Sequence, residues 1–197
     1  MTDPPKYFDP RSDLWRRAFD LGKPYEAYLA ASPADKADRW REMAGQVPEL
    51  TDGQVERLTG FNRTLNVIAL SGVWCGDCVR QGPMLDRLAR AAGAELRWLE
   101  RDELPEFRDE VRIAGAMRVP SVVFCTEDFW SLGRFGDRML TAYLRKAANE
   151  MGAACPVPYA APPEGDLAAE QGEWLDIFER MLLMARLSPP LRARHGD

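Results

Sequence analysis

Trp74-Cys75-Gly76-Asp77-Cys78 holds the residues of this chain best suited to covalent chemistry. Two cysteines with two residues between them lie one helical turn apart, close enough to close a disulfide and to open it again. The run before them, Leu65 to Leu70, is short and mostly apolar, as a strand buried on both faces would be. The stretch after them, Gly76 to about Ala92, reads as a helix with Met84, Leu85 and Leu88 inward and Gly93 as its stop. Cys75 is thus expected at a helix N-terminus, where unpaired backbone N–H groups and the macrodipole favour a thiolate. It is the expected nucleophile, and the more shielded Cys78 the resolving thiol. Gly76 lets a substrate backbone approach, and Trp74 is placed to cover one side of the sulfur pair. Asp77 suits the first turn of a helix, but its charge opposes a neighbouring thiolate. Cys75 is therefore expected to be less acidic, and the couple more reducing, than with an uncharged residue at 77.

A pair of cysteines at this spacing also makes half of a zinc knuckle. Tetrahedral zinc needs four ligands, usually from two such pairs. The other cysteines, Cys125 and Cys155, are far apart, and Cys125 falls in an expected core strand where it should be inert. The single histidine, His195, falls in an expected tail. No metal site is expected. Two buried, inert thiols would be the other alternative, and a position at a helix start, where cysteines are exposed, argues against it. Cys155 lies on a connector and is expected to be more exposed.

The elements that must position the pair follow from pattern and punctuation. The chain has 197 residues, 46% hydrophobic and 29% charged, with net charge −5, an ordinary globular composition. No cluster of five or six basic residues points to nucleic acid or a membrane surface. No apolar run is long enough to span a bilayer. The opening Met1-Thr-Asp-Pro-Pro-Lys lacks the features of a secretory signal, so a cytoplasmic address without structural disulfides is expected.

Residues 1–61 read as a helical extension. Leu14, Trp15, Ala18 and Phe19 share one helical face, and Gly22-Lys23-Pro24 interrupts it. Tyr25, Tyr28 and Leu29 mark a second short helix. Ser32-Pro33-Ala34-Asp35 predicts a third, capped by Ser32, with Trp40 and Met43 inward. Thr51-Asp52-Gly53-Gln54 is a capping-box pattern leading to Val55, Leu58 and Phe61.

Residues 62–150 alternate as βαβαββα, the order of an α/β sandwich with helices on both faces of one sheet. Its later parts are strands at Glu95–Glu100, Ser121–Cys125 and about Leu132–Phe135, and a short helix at Pro105–Val111. A helix from Asp137 to Glu150 carries Leu140, Tyr143 and Leu144 as its expected apolar side. Residues 151–197 read as a proline-rich connector over Cys155–Pro163, then a helix from about Asp166 to Leu187 that Ser188-Pro-Pro190 ends. The stripe Trp174, Ile177, Phe178, Met181 and Met184 predicts that this helix docks on the protein's own core.

Taken together, these residues resemble the thioredoxin family. Trp74 precedes the pair, and Pro83 stands five residues after Cys78, where the family has a helix-kinking proline. Val119-Pro120-Ser121 has the surroundings of the family's cis-proline, just before a core strand. Gly133-Arg-Phe-Gly-Asp-Arg138 and Arg101-Asp102-Glu103 resemble segments of a bacterial thioredoxin-like branch. The resemblance covers about residues 62–150 and implies a thioredoxin-like fold, a central mixed sheet flanked by helices, here with added N- and C-terminal helices. It implies that Pro120 lies against the sulfurs and hinders metal binding, and that Val119 offers backbone to an extended substrate.

It also implies a cytosolic reductant of protein or small-molecule disulfides that works through a mixed disulfide and needs no cofactor. A reductase or low-molecular-weight thiol would return its electrons; no nucleic acid or membrane partner is expected. The chain departs from the family at Ala69, six residues before Cys75, where thioredoxins carry a buried acid, and at Asp77, where they have proline. Asp77 or a water is the expected proton acceptor for Cys78 in its place. The other function classes are a thioredoxin-fold binding or adaptor module using Trp74, Val119 and Pro120 with little turnover, and a zinc-binding protein.

Overall fold

A computed structural model describes residues 6–151 and 166–196. Four strands, β1 (Asn66–Ser71), β2 (Glu95–Glu100), β3 (Ser121–Cys125) and β4 (Ser131–Gly136), form one sheet in the order β2-β1-β3-β4. β1 pairs parallel with β2 and antiparallel with β3, and β3 pairs antiparallel with β4. The apolar run of β1 is central and buried throughout from Val67 to Ser71, as its composition demands.

Register divides the side chains between two faces. Trp98, Ala69 and Val122 are aligned, as are Leu96, Val67 and Phe124, so these six share one face. Against that face lie α2 (Tyr25–Ala30), α3 (Ala34–Ala44), α5 (Gly76–Ala91) and α8 (Leu167–Leu187). The rings show it: Trp98 packs on Tyr25, Tyr28 and Trp40, and Phe124 meets Phe178 edge-on at 4.9 Å. The opposite face takes α1 (Ser12–Leu21) and α6 (Pro105–Glu110). Trp15 meets Phe107 there, and Arg97 and Arg134 lie over Phe19 and Trp15. The outer edge of β2 is closed by a two-way backbone bridge from Lys23 to Trp98, which leaves less of it open to pairing with other chains.

A short α4 (Asp52–Glu56) has the predicted capping box, with Thr51 and Gln54 bonded reciprocally. Ser32 does not cap α3: its hydroxyl donates to the Tyr28 carbonyl at 2.8 Å, and Pro33 occupies the cap position. The expected helix at Asp137 begins three residues later, as α7 (Leu140–Met151). Its first amides donate to Glu173 of α8, a cap supplied from another element, and Leu140 is 65% exposed rather than inward. Trp174, Phe178 and Met181 bury α8 on the core as expected, whereas Met184 is 40% exposed. The proline pair after Ser188 ends α8 but opens α9 (Pro189–His195), so His195 is helical and pairs with Asp128 at 2.9 Å. The expected connector, with Cys155, lies outside the described residues.

Trp40 is the side chain that ties the helical extension to the sheet. It is fully buried against Tyr25, Tyr28 and Trp98, and its ring fills the space that a Cβ at Gly82 of α5 would occupy. Trp40→Ala is expected to lower stability by about 3–5 kcal/mol, the range for truncating a buried tryptophan. Gly82→Val should also destabilise, by overpacking the same contact. Both are checked by denaturant unfolding, and a wild-type midpoint in either would contradict this role for Trp40.

Candidate active site

β1 ends at Ser71, and the chain passes through Gly72 and Val73 into α5. Two groups hold this turn from behind. Trp40 Nε1 donates to the Val73 carbonyl at 3.0 Å, and the Val73 amide faces Glu100 Oε2 at 3.4 Å. Cys75 is the N-cap residue of α5, with extended backbone (φ −79°, ψ 125°) and its amide donating to the Gly72 carbonyl.

One turn of helix separates two unlike thiols. Cys75 is half-buried, and Cys78 is fully buried. The Cys78 side chain is the largest influence on Cys75 and stabilises its anion by hydrogen bonding. Burial opposes this, the Cys78 and Asp77 amides assist it, and the net effect lowers Cys75 to about 6. The Asp77 charge pushes the other way, as its position suggested. Burial drives Cys78 well above the ordinary thiol range, and the neighbouring Cys75 adds to that, while Ser71 and the Gly72 backbone oppose it.

Of the residues singled out from the sequence, Trp74, Gly76 and Asp77 adjoin the pair in the chain and Val119 faces it. The Val119–Pro120 peptide is cis, and the Cys75 thiol faces the Val119 carbonyl at 3.5 Å. Val119 and Pro120 are buried beside it. Gly76 is exposed, with open space where a side chain would stand. Pro83 is buried inside α5. Trp74 is 48% exposed, with the Arg101 guanidinium 5.0 Å from its ring. Cys125 is buried in β3 with its thiol pushed up by burial, as expected of inert core. Among the described residues, no group of three or more His, Cys, Asp or Glu side chains is placed to hold a metal ion, and no helix is long and apolar enough to cross a membrane.

Sequence reasoning missed the cation that answers Asp77. Arg138 reaches it with two contacts, at 3.1 and 2.5 Å, and lies 3.4 Å from the buried Asp137. Asp137 is in turn held by Arg118 and by the Tyr143 hydroxyl. Burial opposes its charge, but these partners keep the carboxyl below the usual range. Gln81 of α5 donates to the Asp137 carbonyl at 2.8 Å and accepts from Trp174 of α8 at 3.0 Å. The Gly133–Arg138 segment was visible as a motif, but only the fold brings its last residue to the first turn of α5. A cavity of about 260 Å³ between β3, β4 and the loop after α6 is lined by neither cysteine and by none of Asp77, Asp137 and Arg138.

A family model described as thioredoxin matches residues 22–147. That span begins well before β1 and includes the helices that carry Tyr28 and Trp40. A crystal structure of a protein of unknown function from Pseudomonas aeruginosa is similar, with TM-score 0.63 and 21% identity over 86% of this chain and 97% of its own. An HIV epitope scaffold has TM-score 0.58 and 19% identity, over 92% of this chain and 98% of its own. Likeness at these identities concerns the fold alone. No curated protein matches the chain.

Two outcomes follow from the electrostatics. Alkylation of Cys75 should rise with pH through about 6, because the thiolate is the reactive form. Asp77→Asn should lower that midpoint and Arg138→Met should raise it, each by up to about one unit, as Asp77 is removed or left uncompensated. Thiolate ultraviolet absorbance reads both shifts. A midpoint unmoved by Arg138→Met would show that the arginine does not screen Asp77.

Proposed function

We propose that this chain, a member of the thioredoxin family by the match over residues 22–147, is a thiol–disulfide oxidoreductase that reduces disulfides through Cys75 and Cys78. The observation that carries the reading is the inequality of the two thiols. Cys75 is accessible, with its anion stabilised near neutral pH, while Cys78 is buried and protonated. Cys75 thiolate attacks one sulfur of the substrate disulfide and the other sulfur leaves as a thiolate. Cys78, once deprotonated, attacks the Cys75 sulfur of the mixed disulfide and releases the second substrate thiolate. Two electrons pass to the substrate, and the protein is left with a Cys75–Cys78 disulfide.

The open space over Gly76 and the Val119 backbone favour an extended protein segment or a small disulfide as substrate. The exposed Trp74 ring, next to Cys75 in the chain, adds an apolar surface. A reductase or a low-molecular-weight thiol would restore the dithiol, and the reaction needs no prosthetic group. This chemistry suits a reducing compartment such as the bacterial cytoplasm.

Cys78→Ser should accumulate mixed disulfides at Cys75, and Cys75→Ser should accumulate none. Intact mass after trapping distinguishes them, and equal trapping by both would overturn the assignment of roles. In thiol/disulfide buffers, Cys75 and Cys78 should oxidise in a single two-electron step near or below about −250 mV, the range of cytosolic reductants. If the pair never closes, the oxidoreductase reading fails and a binding role for the same surface takes its place.

A further inference from the structure

The resolving step requires that the buried Cys78 thiol lose its proton, and the position from which the family's acid would take it is Ala69, itself fully buried. Asp77 was an expected substitute, but the structure commits it to Arg138. Other polar groups stand on the same face of the sheet. Ser71 is two residues beyond Ala69 and so points the same way, and Glu100 is its register partner on β2. The Ser71 hydroxyl is fully buried and has no hydrogen-bond partner among the described residues, and it favours the anions of both Cys78 and Tyr28. An unsatisfied buried hydroxyl is costly unless it has a use. From Tyr28 the path continues: the phenol donates to Glu100 Oε2 at 2.7 Å. Tyr28 and Glu100 then line a recess of about 200 Å³, together with Lys23, Ser32 and Val73, into which neither cysteine opens.

We propose that Ser71, Tyr28 and Glu100 relay the Cys78 proton to solvent in that recess, in place of the buried acid absent at Ala69. The inference rests on the dithiol chemistry proposed above. In the step, the Cys78 S–H proton passes to the Ser71 oxygen, the Ser71 proton to the Tyr28 oxygen, and the Tyr28 proton to the Glu100 carboxylate. Ser71 and Tyr28 end as they began, neutral. Cys78 becomes the thiolate that displaces the substrate sulfur, and Glu100 gives the proton to water. Burial holds the Tyr28 phenol far above its ordinary range, and Glu100 adds to that, so Tyr28 passes a proton on without resting as an anion. The other charged or titratable groups near the path are Cys75 beside Cys78, Arg101 next to Glu100, and Lys23, which pairs with Glu103 at 3.6 Å. Ser71, Tyr28 and Glu100 are positioning and proton-carrying residues that act through Cys78.

The test separates the two chemical steps on the full chain with dithiobis(nitrobenzoate), whose thiol product absorbs. A first phase reports attack by Cys75, and a second reports displacement by Cys78. Glu100→Gln, which keeps an acceptor for Tyr28 and Val73, should slow the second phase at neutral pH by at least about a hundredfold, the low end for loss of a general base. The first phase depends on Cys75 and should be little affected. Tyr28→Phe and Ser71→Ala should act alike, and Ser71→Thr should restore the rate. At high pH hydroxide replaces the relay, so the variants should converge on wild type, which a purely structural defect would not do. A second phase of wild-type rate and pH profile in folded Glu100→Gln and Ser71→Ala would overturn the relay alone. Absence of any second phase in the wild-type protein would overturn the oxidoreductase reading, and the relay with it.

Discussion

The backbone at Val73 is gripped on both sides of one residue before the chain turns into α5. Its carbonyl accepts from Trp40, and its amide meets Glu100. A strand-to-helix turn has few contacts of its own, so its shape depends on what lies behind it. Here the support comes from a buried indole that also occupies the space left by Gly82 and packs against Trp98 in the sheet. Two glycines that flank the turn answer to aromatic rings: a Cβ at Gly72 would collide with Trp74, and one at Gly82, further along α5, with Trp40. The position of Cys75 at the start of α5 is therefore a property of three layers in contact.

That position governs the chemistry. Backbone N–H groups at the helix start and the neighbouring thiol stabilise charge on Cys75, and the same depth of packing denies it to Cys78. One turn of helix spans the boundary between a site that water reaches and one that it does not. Asp77 would weaken the contrast if it stood alone. Arg138 answers its charge and is itself steadied by Asp137, which Gln81 and Trp174 connect to the C-terminal helix. The N-terminal helices thus hold the turn, and the C-terminal helix supports the residues that face Asp77.

α8 is held by more than its apolar stripe. Glu170 is fully buried, and Arg80 of α5 and Arg145 of α7 converge on it at 2.8–2.9 Å. A buried carboxylate is tolerated only with such partners, and loss of either would leave an uncompensated charge. Glu173 caps α7 from the same helix. These polar anchors fix the orientation of α8 where apolar contact alone would allow it to slide.

Periodicity and local chemistry alone determined much of this protein. The buried run at β1, the alternation at β2, the capping box at Thr51 and the strand-to-helix setting of the cysteines all depend on residues near in sequence. The same is true of the inward face of α8 at Trp174, Phe178 and Met181. Where a group was satisfied from far away, the local signal misled. α7 took its cap from Glu173, and His195 found Asp128, while Ser32 turned back to the Tyr28 carbonyl in the last turn of α2 instead of forward to α3. The partner of Asp77 lies 61 residues away in Arg138, and Ser71 gains its neighbour Glu100 only through the β1–β2 register. Type and spacing decide which atoms can react. Charge compensation and proton supply at a buried thiol act through space, over distances that only a packed chain defines.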